Sequence, residues 1–135
     1  MKLNPDCIRE ILLWFEENQS MEQGFNGFLT GNVAAYMSTD MPQYFKDYSP
    51  EDVLYSIKQM VESGLLNATR MDVDGADWYR IRDITPIGHD FLGNIRADNN
   101  WQKTKSIAKS IGSVTLSSLS KIAAKVIADL INGAV

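Results

Sequence analysis

The sequence has little of several features that mark particular classes of protein. Its 135 residues include a single cysteine, Cys7, which excludes an internal disulfide, and only four prolines, which argues against a Pro-rich disordered chain. No apolar run reaches the roughly 18 residues of a membrane span, and the first residues lack the apolar core of a signal peptide. We therefore expect a soluble cytoplasmic domain that binds no membrane, with Cys7 as a small buried apolar residue.

Charge is distributed unevenly along the chain. The net charge is -4, yet residues 1–98 carry eight basic and sixteen acidic side chains, whereas residues 99–135 carry five lysines and one aspartate. Because Lys and Arg contacts to phosphates dominate non-specific affinity for nucleic acid, an acidic body opposes such binding, while a basic tail attracts polyanions or acidic protein surfaces. Charge alone leaves the class of partner open.

Three helix starts share one signal, a capping side chain followed by proline at the first helical position. The capping residues are Asn4, Ser49 and Thr85, and they predict helices over 5–18, 50–63 and 86–97. Gly64 predicts a left-handed residue at the end of the second helix. Residues 19–48 form a linker, in which we expect a short strand near 33–37 and a turn of helix near 42–45.

A β-hairpin is predicted between the second and third helices. Residues 65–73 and 78–84 are rich in β-branched and aromatic side chains, and an Asp-Gly pair at 74–75 supplies the turn. The apolar positions change parity between 68 and 71, which indicates a β-bulge or an irregular strand. After residue 99 we expect a short basic helix with Trp101, Ile107 and Ile111 on its apolar side, and after Gly112 a final amphipathic helix.

This order of elements predicts an α+β, mostly helical domain of winged helix-turn-helix type. Residues 1–98 would form the domain, with a recognition-type helix over 50–63 and a two-strand wing over 65–84. Residues 99–135 would form a C-terminal helical extension that completes the core or makes a dimer.

Several segments carry a family resemblance. The opening from Met1 to Leu13, the segment from Ile84 to Leu92, Asn94-Ile95-Arg96 and the segment from Trp101 to Lys105 resemble the domain-of-unknown-function family 2513 of bacteria, phages and prophages. The resemblance covers nearly the whole chain apart from residues 19–46. It implies a winged-helix fold but brings no reaction, cofactor or catalytic residue. A phage habitat implies either transcriptional regulation or engagement of a host protein, including a defence component.

The candidate nucleic-acid surface combines the recognition-type helix with the wing. Polar side chains on such a helix contact bases and phosphates, and wing arginines reach the backbone or the minor groove. The candidates are Tyr55, Ser56, Lys58, Gln59, Arg70, Arg80 and Arg82. Carboxylates oppose this interpretation. Glu51 and Asp52 occupy the first turn of the helix, and four aspartates are interspersed among the wing arginines. A solvated helix face and cross-strand Arg–Asp pairs are the alternatives.

No pattern in the sequence indicates catalysis or metal binding. The lone His89 has no neighbouring second ligand, which favours a structural or surface histidine. The aspartates at 72, 74 and 77 lack the glycine and glutamate positions of a calcium loop. Nucleophile, phosphate-loop and dinucleotide motifs are also absent. We predict a protein that is not an enzyme and has no cofactor.

The final helix carries an apolar stripe that is too wide for one short neighbouring helix to cover. The body of the domain or a homodimer partner would cover it, and a membrane surface is the third alternative. Candidates for a dimer or partner interface are Leu116, Leu119, Ile122, Val126, Ile127, Leu130 and Ile131. The sequence thus predicts a dimeric nucleic-acid-binding regulator that contacts duplex DNA. The alternative is a protein-interaction module, such as an inhibitor of a host or defence protein.

Overall fold

The computed structural model describes residues 2–18, 28–29, 45, 47–73, 76–112 and 114–133. The helices are α1 (Pro5–Asn18), α2 (Pro50–Glu62), α3 (Pro86–Ile95), α4 (Asp98–Ile111) and α5 (Leu116–Ile131), and the strands are β1 (Phe28–Leu29), β2 (Leu66–Val73) and β3 (Ala76–Ile84). The described chain is α+β and mostly helical, as predicted. The strand expected near 33–37 lies outside the described residues, as does the turn expected near 42–45 except for Phe45.

The three predicted helix starts are present. Each capping side chain accepts a hydrogen bond from the backbone N–H three residues further on, at 3.2 Å for Asn4, 3.1 Å for Ser49 and 2.9 Å for Thr85. These bonds satisfy N–H groups that the first turn of a helix leaves unpaired. After α2, Gly64 takes the predicted left-handed conformation, with φ of +79°. Helix α3 ends at Ile95, two residues before the predicted end.

The strands form one antiparallel sheet in the order β1-β3-β2. The register shifts between Asn67 and Ala68, because Asn67 faces Asp83 whereas Ala68 faces Ile81. A bulge is therefore present, but it lies just before the predicted interval 68–71, and its extra residue, Arg82, is in β3 and not in β2. This extra residue changes the parity of β3, so that Ile84 is buried although it lies an odd number of positions after the buried Tyr79 and Ile81.

One apolar core joins all the helices to the hairpin. Helix α1 buries Cys7, Ile8, Ile11, Leu12 and Phe15, so the predicted buried role of Cys7 is confirmed. Helix α3 buries the predicted trio Phe91, Leu92 and Ile95. The helices after residue 98 add Trp101, Ala108, Leu119 and Ala123 to the same cluster. Residues of the C-terminal extension thus complete the core.

Helix α4 turns a different face inward from the one predicted. Trp101 is buried, but Ile107 and Ile111 are 36% and 63% exposed. The buried face is Trp101, Thr104 and Ala108, and the Thr104 hydroxyl donates a hydrogen bond to the carbonyl of Asn100 at 2.8 Å. Small side chains at a helix contact permit a close approach of the neighbouring helix. The prediction that Ile107 and Ile111 face the core is therefore wrong, because it was based on hydrophobicity alone.

Polar contacts attach the end of α3 to α1. The Arg9 guanidinium donates to the carbonyls of Ile95 at 3.0 Å and Arg96 at 2.7 Å, which satisfies carbonyls that the end of α3 leaves unpaired. The Arg96 side chain in turn pairs with Glu16. Helix α1 is thus bound at the end of α3 by Arg9 and Glu16 of its own, with Arg96 just after α3 as the partner of Glu16.

Candidate nucleic-acid and protein interface

Helix α2 is the helix that was predicted to be of recognition type, and it carries four of the candidate residues. Its buried face consists of Val53, Leu54, Ser56, Ile57 and Met60. Tyr55, Lys58 and Gln59 are half-buried, whereas Glu51 near the start and Glu62 at the end are exposed. The helix therefore presents carboxylates to solvent at both ends, with Tyr55, Lys58 and Gln59 between them.

The prediction that Ser56 contacts nucleic acid is wrong. Ser56 is 0% exposed, because it lies three residues after Val53 and four before Met60 on the apolar stripe. Its hydroxyl lies beside the Cys7 thiol of α1, although Ser56 Oγ forms no hydrogen bond of normal geometry. Burial raises the pKa of that thiol to about 11, while the nearby hydroxyl opposes the rise. Both groups belong to the α1–α2 contact.

On the β2–β3 hairpin, which was predicted to be a wing, Arg70 and Arg82 are exposed. Arg80 pairs through its backbone with Thr69, and its side chain lies outside the described part of the structure. Within the paired residues of β2 and β3, the register places no aspartate directly opposite an arginine. Asp83 accepts a hydrogen bond from the Asn67 amide, and Arg70 and Arg82 are each engaged in a polar or ring interaction. The structure thus leaves two of the three wing arginines exposed on the hairpin.

The N-terminal halves of α1 and α2, together with the turn before α2, carry an acidic face, which we define as Glu10, Asp47, Glu51 and Asp52. The Asn4 side chain joins the two helices by donating a hydrogen bond to Asp52 Oδ2 at 3.4 Å. The pKa of Tyr48 depends on carboxylates of this region. Burial, and then the charges of Glu10, Asp6 and Asp47, raise the pKa of Tyr48 to about 12. Several carboxylates therefore act on this one half-buried side chain.

The candidate interface on α5 divides into two parts. Leu116, Leu119 and Val126 are buried within the chain's own fold, so the prediction that these three contact a partner is wrong. Ile122 and Ile127 are half-buried, whereas Leu130 and Ile131 are 42% and 78% exposed. The body covers the first turns of α5, because the short connection after α4 folds α5 back onto α3 and α4.

Two open cavities of about 350 and about 550 Å³ lie between α3 and α5, with Ile87, Phe91 and Ser120 in the walls of both. His89 is exposed, as a surface histidine would be, and lines the larger cavity. Across the described ranges, no group of three or more His, Cys, Asp or Glu side chains is arranged to hold a metal ion.

The chain shares sequence with a known protein over most of its length. It is 28% identical over 132 residues to an "Uncharacterized protein" of Haemophilus influenzae, and the match covers 97% of this chain and 99% of that protein. No solved structure matches the chain. None of the described helices has the length and apolar character needed to cross a membrane. A family model matches residues 2–115, and the chain belongs to the family described as "Hypothetical protein (DUF2513)".

Proposed function

We propose that this chain is a protein-interaction module with a winged-helix fold, which binds a basic surface of a partner protein through its acidic face. The observation that carries the proposal is the position of this face at the start of α2. In a winged helix, α2 is the helix that meets the ligand, and its first turn approaches that ligand most closely. Here this turn carries Glu51 and Asp52.

The order of elements supports the winged-helix part of the proposal. Helix α1 is followed by β1, then by α2 and by the β2–β3 hairpin. Strand β1 pairs with β3 and not with β2, so the hairpin extends as a wing from a small sheet. Helix α2 packs on α1 and immediately precedes this wing. A recognition helix beside a wing is the arrangement that this fold uses for binding.

Electrostatics favour a basic protein over duplex DNA. A phosphate that approached the first turn of α2 would meet Glu51 and Asp52, with Glu10 and Asp47 close by. Repulsion between these charges opposes the counterion release that drives DNA binding. The burial of Ser56 also removes one of the four polar contacts predicted for α2. Lys58 remains as the only cation of the helix.

The same charges suit a partner that itself binds nucleic acid. Clustered carboxylates on a rigid surface attract a basic protein at long range and compete with phosphate for its Lys and Arg side chains. We therefore propose that the partner carries a nucleic-acid-binding surface, and that this chain occludes it. The role is binding and not catalysis.

A second candidate is the nucleic-acid-binding regulator, and the observation that favours it is the exposure of Arg70 and Arg82 on the wing. Arginines at this place in a winged helix contact the DNA backbone or the minor groove. In that case Tyr55, Lys58 and Gln59 would supply the contacts from α2. This candidate predicts binding that weakens steeply with added salt.

The test is affinity capture of the tagged chain from an extract of its native cells that is split into nuclease-treated and untreated halves. The face variant is Glu10→Lys with Glu51→Lys, and the matched control is Glu17→Lys with Asp90→Lys, which changes the net charge equally at exposed sites outside the face. We expect one stoichiometric protein that the control captures, that the face variant loses and that added duplex DNA displaces. Equal capture by both variants, or recovery of DNA alone from untreated extract, would contradict the proposal.

A further inference from the structure

The smaller of the two cavities between α3 and α5 has a continuous apolar wall. Its volume is about 350 Å³, which lies within the range of about 300 to 1,000 Å³ that small-molecule sites occupy. Leu65, Phe91 and Leu116 line it and are 4%, 2% and 8% exposed, so they form its deep part. Ile87 lies one turn before Phe91 on α3 and is 61% exposed. It therefore continues the apolar wall toward the mouth of the cavity.

The polar groups of this cavity lie toward its mouth. On α5, Ser120 lies one turn after Leu116, and Lys121 lies one turn after Ser117, so the two pairs run side by side along the helix. Ser120 is half-buried, whereas Ser117 and Lys121 are exposed. Ser63, just after α2, adds a third hydroxyl. The wall thus changes from apolar groups at depth to hydroxyls and an ammonium at the mouth.

Lys121 gives the smaller cavity a positive charge that is not balanced nearby. None of the ion pairs within the described ranges includes Lys121. The positions three and four residues away on α5 are occupied by serine, alanine and lysine. The described residues that line the smaller cavity include no aspartate or glutamate, whereas Asp90 lines the larger one. An anionic group in the smaller cavity would therefore meet the ammonium without a competing carboxylate in the wall.

Hydrogen bonds hold the walls of this cavity in place without a ligand. The Thr85 hydroxyl donates to the Gly64 carbonyl at 2.5 Å, and the Thr85 N–H donates to the Leu65 carbonyl at 3.0 Å. These bonds fix the start of α3 against the turn after α2. At the start of α5, the Thr115 and Ser118 side chains each accept the backbone N–H of the other residue. The cavity is thus preformed, which lowers the entropy lost on binding.

We infer that the smaller cavity binds a small amphipathic anion, with an apolar or aromatic body and one carboxylate, phosphate or sulfonate group. The body would pack on Ile87 and the deep wall, and the anionic group would meet Lys121, with hydroxyl donors from Ser117 and Ser120. The acidic face belongs to α1, α2 and the turn before α2, and its charge has the opposite sign. This ligand site is therefore independent of the proposed function.

The test is a fluorescence titration of the full chain with anilinonaphthalene sulfonate, a probe with an aromatic body and one anionic group. We expect saturable binding at one site per chain, with the fluorescence increase that apolar surroundings produce. Phenylnaphthylamine has the same rings without the sulfonate. It should bind about tenfold more weakly or less, because it cannot pair with the ammonium.

Three variants test the walls of the cavity. Lys121→Glu reverses the charge, Ile87→Ser removes the exposed apolar side chain, and Ser120→Phe fills the space. Each should weaken probe binding by about tenfold or more. The matched controls, Lys103→Glu and Ile131→Ser, make the same changes at exposed positions outside both cavities and should keep the affinity within about twofold. Circular dichroism checks that each variant is folded.

Three results would overturn the inference. The first is the absence of saturable probe binding, or binding that Lys121→Glu and Ser120→Phe leave unchanged. The second is co-sedimentation with phosphatidylserine vesicles that Ile87→Ser abolishes, which would assign the surface to a membrane. The third is a dimer in analytical ultracentrifugation that Ser120→Phe converts to monomer, which would assign the cavity to contact with a second copy.

Discussion

The Trp101 indole Nε1 donates a hydrogen bond to Asp6 Oδ1 at 2.8 Å, and this bond joins α4 to α1 across 95 positions of the chain. The same carboxyl oxygen accepts the Lys105 ammonium at 2.7 Å, and that ammonium lies 5.5 Å from the centre of the Trp101 ring. One carboxylate thus receives a buried donor and a cation together. This contact fixes the C-terminal helices on the body that carries the acidic face.

Trp101→Phe should destabilise the fold by about 1 to 3 kcal/mol, because the variant loses the hydrogen bond and part of the buried ring volume. Urea unfolding followed by circular dichroism measures the change. The control is Lys109→Ala at an exposed position of the same helix, which should stay within about 0.5 kcal/mol. Equal stabilities for the two variants would mean that the Trp101 contact adds nothing to the fold.

The Asp6 carboxylate should make the fold sensitive to acid. Burial raises the pKa of Asp6, but the hydrogen bonds from Lys105 and Trp101, with the charges of Lys105 and Arg9, outweigh burial and hold the pKa below its usual value of 3.8. A carboxyl with a lowered folded pKa stabilises the fold above its unfolded pKa, and this contribution is lost as the pH falls through the folded value.

Asp6→Asn tests this dependence. We expect the wild-type chain to exceed the variant in urea midpoint near about pH 6, and the difference to shrink toward about pH 3 as the wild-type carboxyl protonates. A difference that stays constant across this range would show that the ionised form of Asp6 is not what stabilises the contact.

Gly88 and Gly93 lie in the same helix but should respond oppositely to alanine. A Cβ at Gly88 would lie 2.2 Å from the Leu65 carbonyl oxygen and 2.6 Å from Ile84 Cγ2, whereas a Cβ at Gly93 meets nothing within 4 Å. The Leu65 carbonyl cannot easily move, because it accepts the Thr85 N–H at 3.0 Å.

Gly88→Ala should therefore cost about 1 to 3 kcal/mol of stability, and Gly93→Ala should add up to about 1 kcal/mol through helix propensity. Thermal and urea unfolding of the pair measure both changes. A neutral Gly88→Ala would contradict the close approach of α3 to the turn after α2.

The Cys7 thiol should be almost unreactive in the folded chain. Burial raises its pKa from the ordinary 9.0 to about 11, which alone lowers the thiolate fraction about 100-fold at a pH near 8. Ellman's reagent should modify native Cys7 at least that much more slowly than the unfolded chain. In a Cys7→Ser background, an exposed cysteine made by Ser106→Cys should react at the rate of a free thiol. Similar rates for native Cys7 and this control would show that Cys7 is accessible.

Local signals in the sequence identified much of the fold. The caps at Asn4, Ser49 and Thr85 and the left-handed Gly64 were predicted because each depends on chemistry within one turn of the chain. The hairpin was also predicted, because strand residues show in the pattern of apolar positions. A bulge was expected within 68–71 of β2, whereas its extra residue is Arg82 of β3. These features predicted the order of elements, with α2 before the β2–β3 hairpin.

Features that depend on tertiary packing were not predicted correctly. Thr104 and Ala108 are buried in α4 in place of Ile107 and Ile111, because a small side chain at a helix contact is not a hydrophobic signal. Ser56 shares an inward face with apolar neighbours, although its polarity indicated solvent. The Trp101–Asp6 contact joins distant positions, and no spacing in the sequence reveals it. The helical periodicity around Ser56 was the one signal that indicated its burial.

The most direct measurement is the salt dependence of binding to a labelled random-sequence DNA duplex, compared between the wild-type chain and Glu10→Lys with Glu51→Lys. If the acidic face is built for a basic protein, the wild-type chain shows no saturable DNA binding at physiological salt, and the variant gains weak binding that added salt abolishes. Tight, salt-sensitive binding by the wild-type chain that is lost in Lys58→Ala with Gln59→Ala would contradict the proposal and establish the regulator in its place.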